Sequence, residues 1–198
     1  MRPTRWFVLA ALALLPTLAA AAAFTVEIDT TPLAGRSGFI AVDLLGGSVG
    51  AVNDVQLASF ASTSTLGAAT TAGDVSGSLA GTLTLRSSVF FNELLQAVVF
   101  NAGLTSFSLT LSENSMPGGS PDTFSFFLLD SNFAPFATSD PAGALFLIDL
   151  RSPVLPQTFT SVWANVAVVA VPEPPHAALL LLGLLALAAQ KMRKASHR

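Results

Sequence analysis

From Phe24 to Val169 the chain repeatedly alternates apolar and hydroxyl-bearing residues at a spacing of two, and this pattern restricts the fold more than any other feature. "FTVEID" sets Phe24, Val26 and Ile28 on one side and Thr25, Glu27 and Asp29 on the other. "LAGTLTLR" separates Leu79, Leu83 and Leu85 from Thr82, Thr84 and Arg86. "SFSLTLSE" sets Phe107, Leu109 and Leu111 against Ser106, Ser108, Thr110 and Ser112. A two-residue period belongs to half-buried antiparallel strands, apolar side inward and hydroxyl side outward. Between the two chain ends no stretch sustains the 3.6-residue period that an amphipathic helix needs.

Other runs are apolar on both sides. "DTFSFFLLD", "GALFLIDL" and "FTSVWANVAVVA" read as central strands or strands covered on both faces, and "SGFIAVDLL" and "NDVQLASF" as further strands. "SSVFFNELLQAVVF" admits one helical turn at Glu93–Gln96, but its β-branched and aromatic flanks favour strands. "ASTSTLGAATTAG" reads as a polar linker or hairpin tip. Gly, Pro, Ser, Asn and Asp punctuate these runs at short intervals. About nine short strands in one domain predict an all-β fold, an antiparallel β-sandwich of jelly-roll type. Of 15 Phe, 14 lie between Phe24 and Phe159, enough to fill a core between two sheets. The strand order does not follow from the pattern.

Charge excludes some functions. The segment from Phe24 to Val171 carries three basic residues (Arg36, Arg86, Arg151) against eleven acids, a net charge of 3 − 11 = −8. So few cations cannot neutralise a run of phosphates, and no nucleic-acid partner is expected. The chain has no Cys, and both His, His176 and His197, lie in the tail. The middle also lacks Lys, so its many Ser and Thr have none of the usual activating bases for nucleophilic catalysis.

Glu27, Glu93 and Glu113 are the only Glu of the middle, and no spacing ties two of them into a glycosidase pair. Calcium suits the remaining oxygen donors better. "LLDSNFAPFATSDPAG" brings Asp130, Asn132 and Asp140 into one loop, with Asp122 upstream, although the spacing is not that of an EF-hand and the same residues serve ordinary turns. For sugar binding the aromatic supply is narrow: Trp163, and Phe133 and Phe136 in the same loop, either exposed or packed beneath it.

The two ends have a different composition. Arg2 and Arg5 precede an apolar stretch from Phe7 to Leu18, and Ala19–Ala23 offers A-x-A cleavage sites. Residues 1–23 therefore read as a secretory signal peptide, handled by the Sec translocon and signal peptidase and leaving a domain of residues 24–170. At the other end Pro172, Pro174 and Pro175 stop any regular element. Ala177–Ala189 follows as a hydrophobic helix of 13 residues. At ~1.5 Å per residue it spans roughly 20 Å, short of the ~30 Å hydrocarbon core. Lys191, Arg193, Lys194 and Arg198 would keep that end cytoplasmic.

"VPEP", the apolar run "LLLLGLLALAA" and the basic tip together resemble the PEP-CTERM sorting signal, over Val171–Arg198. By that resemblance Pro172, Glu173 and Pro174 are the recognition triplet, and Gly183 matches the glycine common in the apolar part. The tail departs from the pattern at Pro175 and His176, where small or hydroxyl residues are more usual. The resemblance implies an exosortase, a membrane-embedded transpeptidase-like protease, as partner, and removal of the tail near the triplet. It also implies a Gram-negative host that makes exopolysaccharide. The chain is then expected to cross the inner membrane, to be held there transiently by residues 177–189, and to reach the cell surface or the medium. A plain single-pass anchor is the alternative reading of the tail. The expected role is non-catalytic: a structural or adhesive protein of exopolysaccharide or biofilm, with no cofactor. A carbohydrate- or calcium-binding module is the alternative, and a hydrolase the more distant one.

Overall fold

A computed structural model describes residues 21–47, 52–112, 119–151 and 154–172, together with Gly183. Among these residues the chain forms twelve strands and one 3-10 turn at Thr31–Leu33. They build two six-stranded sheets in which every neighbouring pair is antiparallel. The first sheet runs β12 (Asn165–Ala170), β1 (Ala21–Asp29), β8 (Leu104–Ser112), β3 (Asp54–Ser62), β6 (Leu83–Arg86), β5 (Val75–Gly77). The second runs β11 (Pro156–Thr158), β10 (Phe146–Asp149), β9 (Thr123–Asp130), β2 (Ser37–Leu45), β7 (Phe91–Val99), β4 (Thr65–Ala72).

The two-residue period sets which side faces inward. In β1 Phe24, Val26 and Ile28 are buried while Thr25 and Glu27 are exposed. In β8 Thr105, Phe107, Leu109 and Leu111 are buried between more exposed neighbours. The two inner faces meet in one core, crossed by a line of rings. Phe107 of β8 lies 5.4 Å from Phe126 of β9, and Phe126 lies 5.4 Å from Phe146 of β10. Phe60 and Phe124 extend the line at either end, at 6.1 and 6.0 Å. Such offset ring contacts add to the apolar area each ring removes from water.

The all-β expectation holds, most strand readings hold with it, and the readings of two segments change. "SGFIAVDLL" is β2 itself, and "SSVFFNELLQAVVF" gives the uninterrupted strand β7, with Asn92, Leu94, Gln96 and Val98 inward and no helical turn. Leu79 is buried but reaches the core from a turn, ahead of β6. The polar stretch read as a linker is instead β4, which pairs with β7 from Thr65 to Ala72. Its side chains are almost all exposed, so it carries no apolar signal; backbone pairing alone makes it a strand. A bulge between Leu66 and Ala69 interrupts that pairing, and Gln96, inward-facing and buried, donates its amide to the Gly67 carbonyl there at 2.8 Å.

"FTSVWANVAVVA" shows the opposite error. Read as central, it yields only β12, at the outer edge of its sheet, with Val169 61% exposed. Its apolar character does not fix its neighbours: β1 pairs it on one side and no described strand lies on the other. β9 and β10 do occupy interior positions, as read.

Candidate functional site

The strand β1 begins three residues inside the segment read as signal peptide. Ala21, Ala22 and Ala23 pair with Ser112, Leu111 and Thr110 of β8. On the other side of β1, Phe24 stands opposite Ala170, and the Val171 amide donates to the Ala23 carbonyl at 2.8 Å. The last sheet bond thus falls one residue before Pro172, which is exposed. The two chain ends leave the domain side by side, at one end of β1. Glu173, Pro174, Lys191, Arg193, Lys194 and Arg198, and residues 1–20, lie outside the described residues. Among the described residues no helix is long and apolar enough to cross a membrane.

The Asp-rich loop is built from capped turns. Asp130 ends β9, and its Oδ1 accepts the amides of Asn132 at 2.8 Å and Ala134 at 3.0 Å. This Asx-type closure carries Phe133 into the left-handed region, at φ 63°. Asp140 Oδ2 accepts the Ala144 amide at 2.9 Å in a separate turn. That turn closes through Gly143 at φ 85°, where an added Cβ would sit 2.4 Å from Pro135. Among the described residues no three carboxylate or imidazole side chains gather into a group able to hold a metal ion. Asp122 belongs elsewhere: β9, eight residues long, separates it from Asp130 by roughly 26 Å. It is 4% exposed; its carboxylate accepts the Gly47 amide at 2.6 Å and the Asn53 side-chain amide at 2.9 Å. Its backbone carbonyl accepts the Leu150 amide. Asp122 therefore ties three distant segments at one end of the molecule.

The loop separates the two phenylalanines that the sequence could not. Phe133 is 57% exposed and stacks on Phe39 of β2, ring centroids 4.5 Å apart. Phe136 packs against the core, between Phe100 and Trp163. Trp163 is half-buried, with the Arg36 guanidinium 4.4 Å above its ring. Arg86 pairs with Asp54 at 2.9 Å and Arg151 with Asp149 at 3.6 Å, so the three cations of the middle are dispersed. Beside the Phe39–Phe133 stack lies a groove of about 280 Å³, lined by Phe39, Ala97 and Val99 and by Ser37, Thr65 and Ser131 among others.

One pair was invisible to sequence reasoning. Asp43 of β2 stands directly opposite Glu93 of β7 and, on its other side, opposite Ser125 of β9. The Gly46 amide bonds the Phe90 carbonyl, which makes Asp43–Glu93 a non-hydrogen-bonded pair, the closer of the two cross-strand spacings. Asp43 Oδ1 is buried and has no hydrogen-bond partner among the described residues. Burial, then the Glu93 charge, raise its pKa to about 7. Fifty residues separate the two in sequence, and only the β2–β7 register brings them together. Of the other Glu residues considered for catalysis, Glu27 is exposed on the outer face of the first sheet, whereas Glu93 is on the second, and Glu113 lies outside the described residues. Sheets stack ~10 Å apart before side chains are added, so Glu27 and Glu93 cannot flank one glycosidic bond.

Comparison with family models, with curated proteins and with solved structures finds no match to this chain.

Proposed function

We propose that this is an exported, non-catalytic protein of the cell surface or extracellular matrix, delivered by its two ends. The observation that carries the reading is the tail: a Pro-Glu-Pro triplet at 172–174, an apolar run too short for a comfortable span, and a basic tip. Its placement adds support, since Pro172 follows the last sheet bond by one residue and the N-terminal segment leaves beside it. Two membrane-directed ends at one pole suit a domain tethered to a bilayer during processing. An exosortase acting near the triplet would then release the domain, and signal peptidase would act within Ala19–Ala23. Pairing of β1–β8–β3–β6 and of β2–β7–β4 supports a jelly-roll-like β-sandwich, with β9–β12 added along one side.

The test is to express the full chain in a host that has an exosortase and to determine both termini of the surface and secreted product by mass spectrometry. The expected product starts near Ala22 to Phe24 and lacks Lys191–Arg198. An intact basic tip on the surface-localised product would leave a plain anchor.

A second reading, carbohydrate binding, is favoured by one observation: the strained, exposed Phe133 stacked on Phe39 beside a mostly apolar groove that also carries Ser37, Thr65 and Ser131. Its test is retention on the host's own polysaccharide with and without Ca²⁺. Loss of retention in Phe133→Ala supports a groove-bound glycan, and loss on chelation supports a calcium-dependent module. Equal retention by wild type and Phe133→Ala, with and without chelator, removes this reading.

A further inference from the structure

We propose that the free edge of β12 is a pairing surface for a second copy of this chain, joining the two β12 strands antiparallel about a two-fold axis. Unpaired sheet edges template strand addition unless they are short, interrupted by Pro or a bulge, or charged. Three of the four sheet edges among the described residues have such protection. β5 is three residues long and ends on Gly77; β11 is three residues long and starts on Pro156; β4 carries the bulge at Leu66–Ala69. β12 has none: "NVAVVA" is six residues with no charge, Pro, Gly or bulge, and its Val169 is 61% exposed.

The hydrogen-bond pattern fixes what this edge offers. The Val171–Ala23 bond marks the positions whose backbone groups face β1, namely Val171, Val169, Ala167 and Asn165. Val166, Val168 and Ala170 therefore present their N–H and C=O groups outward. That set is its own complement. With Val168 on the two-fold axis, Val168 faces Val168 of the second copy and Val166 faces its Ala170, so three residue pairs exchange six bonds. On the outer face Ala167 meets Val169 of the second copy. On the inner face Val166 and Val168, now only partly covered by the core, gain apolar neighbours. A cleft of about 180 Å³, lined by Thr158–Ser161 and Ala164–Val166, leaves room beside Val166 for the end of the incoming strand. Repulsion is weak: the nearest acids, Glu27 and Asp29, sit one strand back. Across the joint they are three strand spacings apart, ~14 Å, beyond the ~8 Å screening length at physiological salt. The run that reads as central in sequence would then occupy a central position, in a sheet shared by two molecules.

Antiparallel pairing sends the two Val171 ends to opposite ends of the joint, roughly 20 Å apart. If the tail is membrane-directed, as proposed above, pairing of two tailed chains in one bilayer requires both tails to turn toward the same side of the joint, so tail removal favours pairing; this timing rests on that reading, and the pairing itself does not.

The test exploits the absence of cysteine from the chain. Ala167→Cys and Val169→Cys, both at exposed outward positions, are introduced separately in the full-length chain, expressed in an exporting host and purified in mild detergent. Position 167 opposes 169 in a non-hydrogen-bonded pair, with Cα atoms ~4.5 Å apart, within disulfide range. Mild oxidation is expected to yield disulfide-linked dimer from the mixture, at least tenfold more than from either variant alone. Ala170→Pro, which removes an outward N–H and no bond to β1, should abolish the cross-link while leaving thermal unfolding unchanged. Monomeric sedimentation of the wild type together with no excess cross-link in the mixture overturns the proposal. So does cross-linking by each variant alone as strong as in the mixture. Repeating the mixture in vesicles separates the timing: cross-linking there with the tail retained keeps the pairing and removes the tail-first order.

Discussion

Two aspartates show how burial gives the same side chain opposite consequences. Asp122 accepts one amide on each carboxyl oxygen, so both oxygens have partners. Asp122→Ala is expected to cost about 2–4 kcal/mol, because the Gly47 amide and the Asn53 side-chain amide both lose this acceptor. Urea unfolding measures it, and a loss under about 0.5 kcal/mol, the range of ordinary surface substitutions, would contradict the clasp. Asp43 has no such partner for Oδ1 and faces Glu93, so its native pKa of about 7 stands above the unfolded value of roughly 4. Between those values the native chain keeps a proton that the unfolded chain has released, so stability falls as pH rises from about 4 to 7 and this contribution is flat above. The domain should unfold at a lower denaturant concentration at pH 8 than at pH 5. Asp43→Asn should remove most of that difference and raise stability at pH 8 by about 1–3 kcal/mol. An unchanged pH slope in Asp43→Asn would place the titrating group elsewhere.

At the scale of elements, the strands differ in what holds them. β8 and β9 contribute rings to the line that joins the two sheets, so they are secured by packing. Phe126→Ala is expected to cost about 3–5 kcal/mol by cavity formation, read from the unfolding midpoint. β4 is secured by backbone bonds and by the Gln96 amide at its bulge. Gln96→Leu keeps the bulk and removes the donor to Gly67. It should cost about 1–3 kcal/mol and raise amide exchange in β4 before β7, observable by residue-resolved hydrogen exchange. Uniform exchange across both strands would show that the bulge does not depend on Gln96. Sequence period identified β1, β6 and β8 because each has one dry and one wetter face. It missed β4, whose faces are both wet, and misplaced β12, because a Val-rich run reports solvent exclusion and names no neighbour.

For the whole molecule, the chain repeatedly passes between sheets, and most strand partners are distant in sequence. β1 pairs with β8 and β12, and β2 with β7 and β9. Among the described strands only β5–β6, β9–β10 and β10–β11 pair as chain neighbours. Loop closure must therefore precede most stabilising contacts, and refolding is expected on the millisecond-to-second scale that all-β domains of high contact order show. Stopped-flow refolding tests this; microsecond relaxation would mean that local hairpins dominate. The same topology brings Ala21 and Val171 to one end of β1, so strand pairing late in the sequence closes the domain immediately before Pro172.

The sequence by itself determined the class of fold, the sidedness of its best strands, the acidic middle without Lys, His or Cys, and the different composition of the two ends. These are local properties, set by composition and by a period that neighbouring residues share. The tertiary structure alone decided what depends on register between distant segments: the opposition of Asp43 and Glu93, the distance between Asp122 and Asp130, the exposure of Phe133 and burial of Phe136, and the edge position of β12. Hydrogen-bonded ladders are made of backbone groups that every residue carries, so side chains specify which face of a strand is dry and leave its partners to the packing of the whole.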